Sequence, residues 1–169
     1  MREKKVRGRK RKTDQMVTRI EENTQKFPAD FDIGYWHLPL PVAYDFISSS
    51  KTPTKIKRLC IQTLLNRAEH LIDIKPNDCE TYRVVVAVDV PGFWGSQIIL
   101  FKGDVYFQNF FDRHDDDQKW LPLPAGRDFQ REWGLSVSKD MQTVGFKEII
   151  TSEDGISYEG ERWFIGELK

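Results

Sequence analysis

The sequence lacks a long hydrophobic run and contains few cysteines, and each shortage excludes a class of protein. Its longest apolar stretch, Val84–Val88, is far shorter than the ~20 residues that span a bilayer. Two cysteines are too few for a disulfide scaffold, so we expect free thiols. The N-terminus is charged and lacks the apolar segment of a signal peptide. We therefore predict a cytoplasmic protein with no membrane contact.

Catalytic and cofactor motifs are also missing. The chain contains no phosphate-binding loop, no dinucleotide fingerprint, no nucleophile elbow and no zincin helix. The two cysteines, Cys60 and Cys79, lie too far apart for a typical zinc site. We accordingly predict no cofactor and no resident metal, and we favour a protein that is not an enzyme.

A net charge of zero hides two segments of opposite charge. Residues 1–12 carry eight Lys or Arg and one Glu, a charge of +7. Of the 26 basic and 26 acidic residues in the chain, 18 and 25 then remain for residues 13–169, a charge of −7. Self-repelling, low-complexity segments stay unfolded without a partner. We predict a disordered basic arm over residues 1–13 and a single domain over residues 14–169.

Hydrophobic periodicity predicts helices first and strands afterwards. The most regular helix covers residues 53–73, with Thr52 as N-cap and an apolar stripe that includes Leu59 and Leu64. We predict further helices over 14–26 and 42–49, an irregular segment over 28–41, strands over 81–90, 97–101, 105–111, 146–151 and 156–165, an extended 120–123 and a helical turn at 128–133. This order predicts an α+β fold, with N-terminal helices packed on a mainly antiparallel sheet of about five strands.

The basic arm is a candidate site for nucleic acid. Lys and Arg side chains neutralise phosphates and release counterions, and the candidates are Arg7, Arg9, Lys10, Arg11 and Lys12. The Arg-Gly-Arg core loosely resembles the AT-hook, which places arginines in the minor groove, although Lys10 stands where that motif has proline. The alternative is a solvated tail, or one that contacts the acidic remainder of the chain.

Histidines near carboxylates form a second candidate site. His37 lies in the segment Gly34–Pro41, and Asp112 and His114 lie in the acidic run 112–117. Oxygen ligands with a histidine can bind Mg²⁺ or Mn²⁺, and an imidazole can act as acid or base near neutral pH. The alternatives are a structural aromatic loop and a solvated acidic turn.

A third candidate is a ligand pocket at the end of a buried strand. Asp89 ends that strand, and a loop with Pro91, two glycines and Trp94 follows it. We expect Tyr35, Trp36 and Arg113 to contribute further walls. The alternative is that Asp89 accepts hydrogen bonds from the amides of its own loop.

Several stretches together resemble a family of uncharacterised bacterial proteins that is common in Bacillus-type Firmicutes. They are Gly34–Pro41 (GYWHLPLP), the helix Lys57–Ile72, Val88–Pro91 with Trp94–Gln97, and the closing Trp163–Leu168. The resemblance covers about residues 14–168 and leaves out the basic arm. It implies a bacterial cytoplasmic protein and transfers no catalytic residue.

Taken together, these patterns favour a non-enzymatic binding module, such as an immunity or antitoxin-like protein. An acidic surface suits a basic protein partner. The alternatives are a nucleic-acid-associated protein that uses the arm and a metal-dependent hydrolase that uses His37, Asp112 and His114.

Overall fold

The computed structural model describes residues 2–31, 34–41, 44–77, 81–111, 118–151 and 153–169. The helices are α1 (Arg2–Asn23), α2 (Tyr44–Ile47), α3 (Thr54–Ile74), α4 (Asp104–Phe111) and α5 (Phe129–Trp133). The strands are β1 (Tyr35–Pro39), β2 (Tyr82–Val90), β3 (Gln97–Lys102), β4 (Gln118–Pro122), β5 (Gln142–Thr151) and β6 (Ser157–Gly166). They form one sheet in the order β1-β3-β2-β6-β5-β4, and every neighbouring pair is antiparallel. The α+β prediction is confirmed, with six strands instead of five.

The central strand β2 is buried on both faces of the sheet because helices pack on each side. Successive side chains of a strand point to opposite faces. Val84, Val86 and Val88 contribute to a core with α1 and α3, on what we call the α3 face. Val85 and Ala87 contribute to a smaller aromatic core with α4, on what we call the α4 face. This two-sided burial explains why the sequence of β2 is almost continuously apolar.

Helix α3 covers one face of the sheet, as the sequence predicts, but with two local differences. Leu64 is fully buried, whereas Leu59 is 50% exposed, so the predicted apolar stripe is wrong at that position. Thr52 does not cap the helix: its hydroxyl donates to the carbonyl of Phe46, and Pro53 occupies the N-cap position.

The thiol of Cys60 is a packing group in the middle of α3. It is fully buried and forms no disulfide, which confirms the prediction of a free thiol at this position. Burial raises the pKa of Cys60 to about 12, so almost no thiolate forms near neutral pH. Cys79 lies outside the described residues.

Helix α1 begins at Arg2, twelve residues before the predicted start at residue 14. Along the described side chains of this helix, Lys10, Arg11 and Lys12 are exposed while Thr13 is only 4% exposed. After the helix ends, Thr24 accepts a hydrogen bond from Arg67 of α3 at 2.7 Å. Disorder of residues 1–13 in the absence of a partner stays a prediction.

The segment predicted as a third strand is instead helix α4. Gly103, at φ +82°, turns the chain after β3, and Phe107 then packs edge-on against Phe101 at a centroid distance of 5.4 Å. Arg83 fixes the start of the helix because its Nε donates to Asp104 at 3.0 Å. The sheet has six strands instead of the predicted five because the strand predicted at 105–111 is lost while β1 and β4 are gained. Strand β1 lies in a segment that the sequence predicts as irregular.

Candidate functional site

An open pocket of about 410 Å³ lies at the end of β2 on the α3 face of the sheet. Its apolar lining comes from Val90, Pro91, Leu123, Pro124 and Trp133, and its charged lining from Arg127, Lys147, Glu159 and Glu161, with Gly160 between them. An apolar floor with a few polar groups at the rim is the usual form of a binding site. We therefore treat this pocket as the candidate functional site.

The short helix α5 holds Trp133 at the wall of the pocket. Asp128 caps its start by accepting a hydrogen bond from the Arg131 amide at 2.7 Å. Gly134 ends it in the left-handed region, at φ +62°. The ring of Trp133 packs edge-on against Phe93 at 5.9 Å. These local contacts confirm the predicted helical turn at 128–133.

A glycine in β5 allows the loop before α5 to lie against the sheet. A Cβ atom at Gly145 would come within 2.6 Å of Leu123 and 2.8 Å of the Trp163 ring, which is too close for any side chain. The Leu123 amide also donates to the Gly145 carbonyl at 3.3 Å. Gly145 therefore sets the position of Leu123 in the pocket wall.

Ion pairs hold the charged rim of the pocket. The Arg127 guanidinium donates to both carboxylate oxygens of Glu132, at 2.6 and 2.7 Å, and to Glu161 at 2.9 Å. Lys147 pairs with Glu159 at 2.8 Å. The bidentate pair of Arg127 with Glu132 fixes the orientation of both side chains as well as their charge.

The same contacts keep the rim groups charged. Hydrogen bonds from Arg127 lower the pKa of Glu132, and the carboxylates of Glu132 and Glu161 raise the pKa of Arg127. General acid–base catalysis needs a group whose pKa lies near the working pH. Both shifts move away from neutrality, so these groups are suited to orienting a ligand and not to transferring a proton.

We expect Glu132 to titrate below the usual range of a glutamate. Because its folded pKa is lowered, its stabilising contribution is present above the unfolded pKa of about 4.3 and is lost as pH falls through the folded value. NMR titration of the side-chain carboxyl carbon measures this pKa. Arg127→Met should return it toward the usual value, whereas Lys147→Met, which breaks the neighbouring ion pair, should leave it unchanged. An ordinary pKa in the unaltered protein would contradict the prediction.

The indole N–H of Trp133 is buried and donates to no acceptor within the described residues. By contrast, the indole N–H of Trp163, below the pocket, donates to Glu161 at 3.3 Å. Buried donors almost always have an acceptor. This unpaired N–H belongs to a residue that lines the pocket.

A second cluster of charges lies on the α4 face of the sheet. Asp89 and Glu148 are only 8% and 7% exposed, and Arg162 lies between them. Its Nε donates to Asp89 at 2.8 Å, and its Nη1 lies 3.5 Å from Glu148. A Cβ atom at Gly95 would come within 1.8 Å of the Asp89 carboxylate, so the glycine makes room for this ion pair.

The residues that the sequence singles out are spread over both faces of the sheet. Tyr35 and His37 share the α4 face with Asp89, and their rings stack at 6.1 Å, whereas Trp36 packs on the α3 core. Trp94 is 57% exposed. Val90 and Pro91, next to Asp89, line the pocket, whereas its lining includes neither Asp89 nor Trp94.

Three of the proposed site residues, Asp112, Arg113 and His114, lie outside the described residues. In the part of the chain that is described, no group of three or more His, Cys, Asp or Glu side chains is placed to hold a metal ion. The site of His37 with Asp112 and His114 therefore stays a prediction.

Most residues of the pocket could not be predicted from the sequence. Arg127, Lys147 and Glu161 come from a loop and two strands that are far apart in the chain, and only the sheet register brings them together. The one available signal was Trp133 in a capped helical turn, because a large aromatic side chain there needs a packing surface.

A family model of proteins of unknown function, DUF3916, matches residues 17–167. The chain belongs to this family. The match confirms the resemblance to an uncharacterised family. Both the match and the resemblance leave out the basic first half of α1. No curated protein and no solved structure matches this DUF3916 chain. Among its described helices, none is both long enough and apolar enough to cross a membrane.

Proposed function

We propose that this DUF3916 protein is a non-enzymatic binding module of the bacterial cytoplasm, whose pocket receives an apolar side chain from a basic segment of a partner protein. The observation that carries the proposal is the buried N–H of Trp133 beside an apolar floor. An immunity or antitoxin-like role, in which a small acidic protein covers a basic enzyme, is the form of this function that we favour.

The unpaired donor supports a peptide ligand. A buried donor without an acceptor costs about 1–3 kcal/mol, and a ligand that supplies the acceptor recovers this energy on binding. A backbone carbonyl next to an apolar side chain supplies both groups that the pocket lacks. The lining by Pro91, Leu123 and Pro124 suits the apolar side chain.

The charges around the pocket support a basic partner. In the pocket lining, Glu159 and Glu161 balance Arg127 and Lys147, and Glu132, which pairs with Arg127, adds one further negative charge beside it. At the tip of the β5–β6 hairpin, Glu153 and Asp154 are exposed, and the described residues offer neither of them an ion pair. The charge of −7 over residues 13–169 is complementary to a basic partner that docks away from the N-terminal half of α1.

The charge states at the rim support binding over catalysis. The pKa of Glu132 is lowered and that of Arg127 is raised, so neither group exchanges a proton readily at neutral pH.

Trp133→Phe tests the proposal because it removes the N–H and keeps most of the ring. The probe is a fluorescein-labelled ten-residue peptide with four lysines around one central leucine. We expect this peptide to shift the Trp133 indole cross-peak in NMR spectra, and the variant to bind it roughly five- to tenfold more weakly, the value of one hydrogen bond. Matched peptides with serine for leucine, or glutamate for lysine, should not shift the cross-peak.

The control is Trp163→Phe, which removes an indole N–H that already has an acceptor in Glu161. We expect Trp133→Phe to keep its stability, because the lost donor has no partner among the described residues. Trp163→Phe should lose more than about 1 kcal/mol, since it gives up a hydrogen bond and leaves space around a ring that is 3% exposed. No shift of the Trp133 cross-peak, or equal shifts with the leucine and serine peptides, would refute the proposed pocket ligand.

A further inference from the structure

The charge of α1 changes sign along its length, and its burial changes at the same place. Residues 2–12 carry eight basic side chains and one acidic, a charge of +7, whereas residues 13–23 carry one basic and three acidic, a charge of −2. Lys10, Arg11 and Lys12 are exposed, and Thr13 is buried. Helix α1 therefore combines a basic first half, exposed at Lys10, Arg11 and Lys12, with a second half that packs on the body.

Most of the described cations of the basic half form no ion pair with the rest of the described residues. No ion pair within the described residues involves Arg9, Lys10 or Arg11, and Lys12 lies over the ring of Phe46 at 5.8 Å. Positive side chains near a helix N-terminus are repelled by the helix dipole and by one another at i, i+4 spacing. Helix formation over residues 2–12 therefore gains from an external polyanion that neutralises these charges.

The second half of α1 anchors the basic half to the folded body of the protein. Met16 and Ile20 are 1% and 0% exposed in the main core, and Arg67 of α3 donates to the Thr24 side chain and carbonyl just after the helix. At 1.5 Å per residue, the basic half extends about 16 Å from this anchor.

We propose that residues 2–12 form a DNA-binding helix that lies in the major groove of duplex DNA and contacts its phosphates without sequence preference. A helix with side chains is about 10–12 Å wide, which matches the ~12 Å major groove of B-DNA and exceeds the ~6 Å minor groove. The helical backbone at residues 7–9 is thus incompatible with the minor-groove arrangement of an AT-hook. The major groove of A-form RNA is too deep and narrow for a helix of this kind.

Fluorescence anisotropy with a labelled 20-base-pair DNA duplex tests the proposal on the full-length protein. The variant R9Q/K10Q/R11Q/K12Q removes four of the charges. We expect at least about tenfold weaker binding and a slope of log K against log salt that is smaller by about 3–4, since each phosphate contact contributes about 0.9. A duplex RNA of the same length should bind the unaltered protein at least about tenfold more weakly than the DNA.

The matched control K26Q/K51Q/K55Q/K139Q removes four exposed cations elsewhere and should keep both affinity and slope. Equal losses in the two quadruple variants would overturn the assignment to α1, because only the total charge would then matter. Equal affinity for DNA and RNA would overturn the major-groove arrangement. Trp133→Phe should leave DNA binding unchanged, so this result is independent of the pocket proposal.

Discussion

Replacing Arg162 by methionine is expected to lower the free energy of unfolding by about 3–5 kcal/mol, the usual cost of removing one partner from a buried ion pair. The guanidinium lies between Asp89 and Glu148, whose side chains are only 12% and 9% exposed. Without it, two carboxylates stay largely shielded from water and lose the positive charge that lies between them. Urea denaturation followed by tryptophan fluorescence measures the change at pH 7.

Two further variants show whether this loss comes from the buried charges. Lys147→Met breaks the exposed pair with Glu159, whose side chains are 43% and 59% exposed, and should cost at most about 1 kcal/mol. The triple variant D89N/R162M/E148Q removes all three charges and should recover most of the stability lost in Arg162→Met. If the single Arg162 variant costs less than the exposed-pair control, the ion cluster contributes nothing to stability.

Leu64→Ala is expected to destabilise the protein by about 2–5 kcal/mol, because it leaves a cavity between α3 and the sheet. Leu64 is fully buried in the main core, where it belongs to the same cluster as Val86 and Ile165. The fall in urea midpoint should occur without a change in the slope of the transition, which reports the surface exposed on unfolding.

Leu59 provides the control on the same helix. It is a leucine one and a half turns away, it is 50% exposed, and the sequence predicts the same apolar stripe for both residues. Leu59→Ala should change stability by no more than about 0.5 kcal/mol, since the surface loss is small and alanine is a good helix former. Equal effects of the two substitutions would contradict the burial that separates them.

The sequence was most informative where a pattern is long and local. The helix 53–73 and the strands 81–90 and 97–101 match α3, β2 and β3 within one or two residues, because long periodic runs leave few alternative conformations. The prediction of a strand at 105–111 was wrong because a short aromatic run fits both the helical and the strand periodicity. In the helix, Phe107 packs against Phe101. Strand β1 was missed because Pro39 and Pro41 suggest an irregular loop, whereas an edge strand tolerates proline.

The candidate site was less predictable than the fold, for a geometrical reason. The sequence predicts a pocket wall after the buried strand through Asp89 and Trp94, whereas the pocket is lined by their neighbours Val90 and Pro91. Arg127 and Glu161 were not expected, because their contact depends on the pairing of β6 with β2 and on the loop before α5. A shift of the register by one residue would turn Glu161 to the other face of the sheet.

The strand order divides the sheet into two consecutive halves, β1 with β2 and β3, and β4 with β5 and β6, joined only by the pairing of β2 with β6. The chain between them, residues 103–117, contains 15 residues. This pairing joins residues that lie far apart in the sequence, such as Val88 and Trp163. Contacts between such distant residues slow folding, so we expect the docking of the two halves to limit the folding rate.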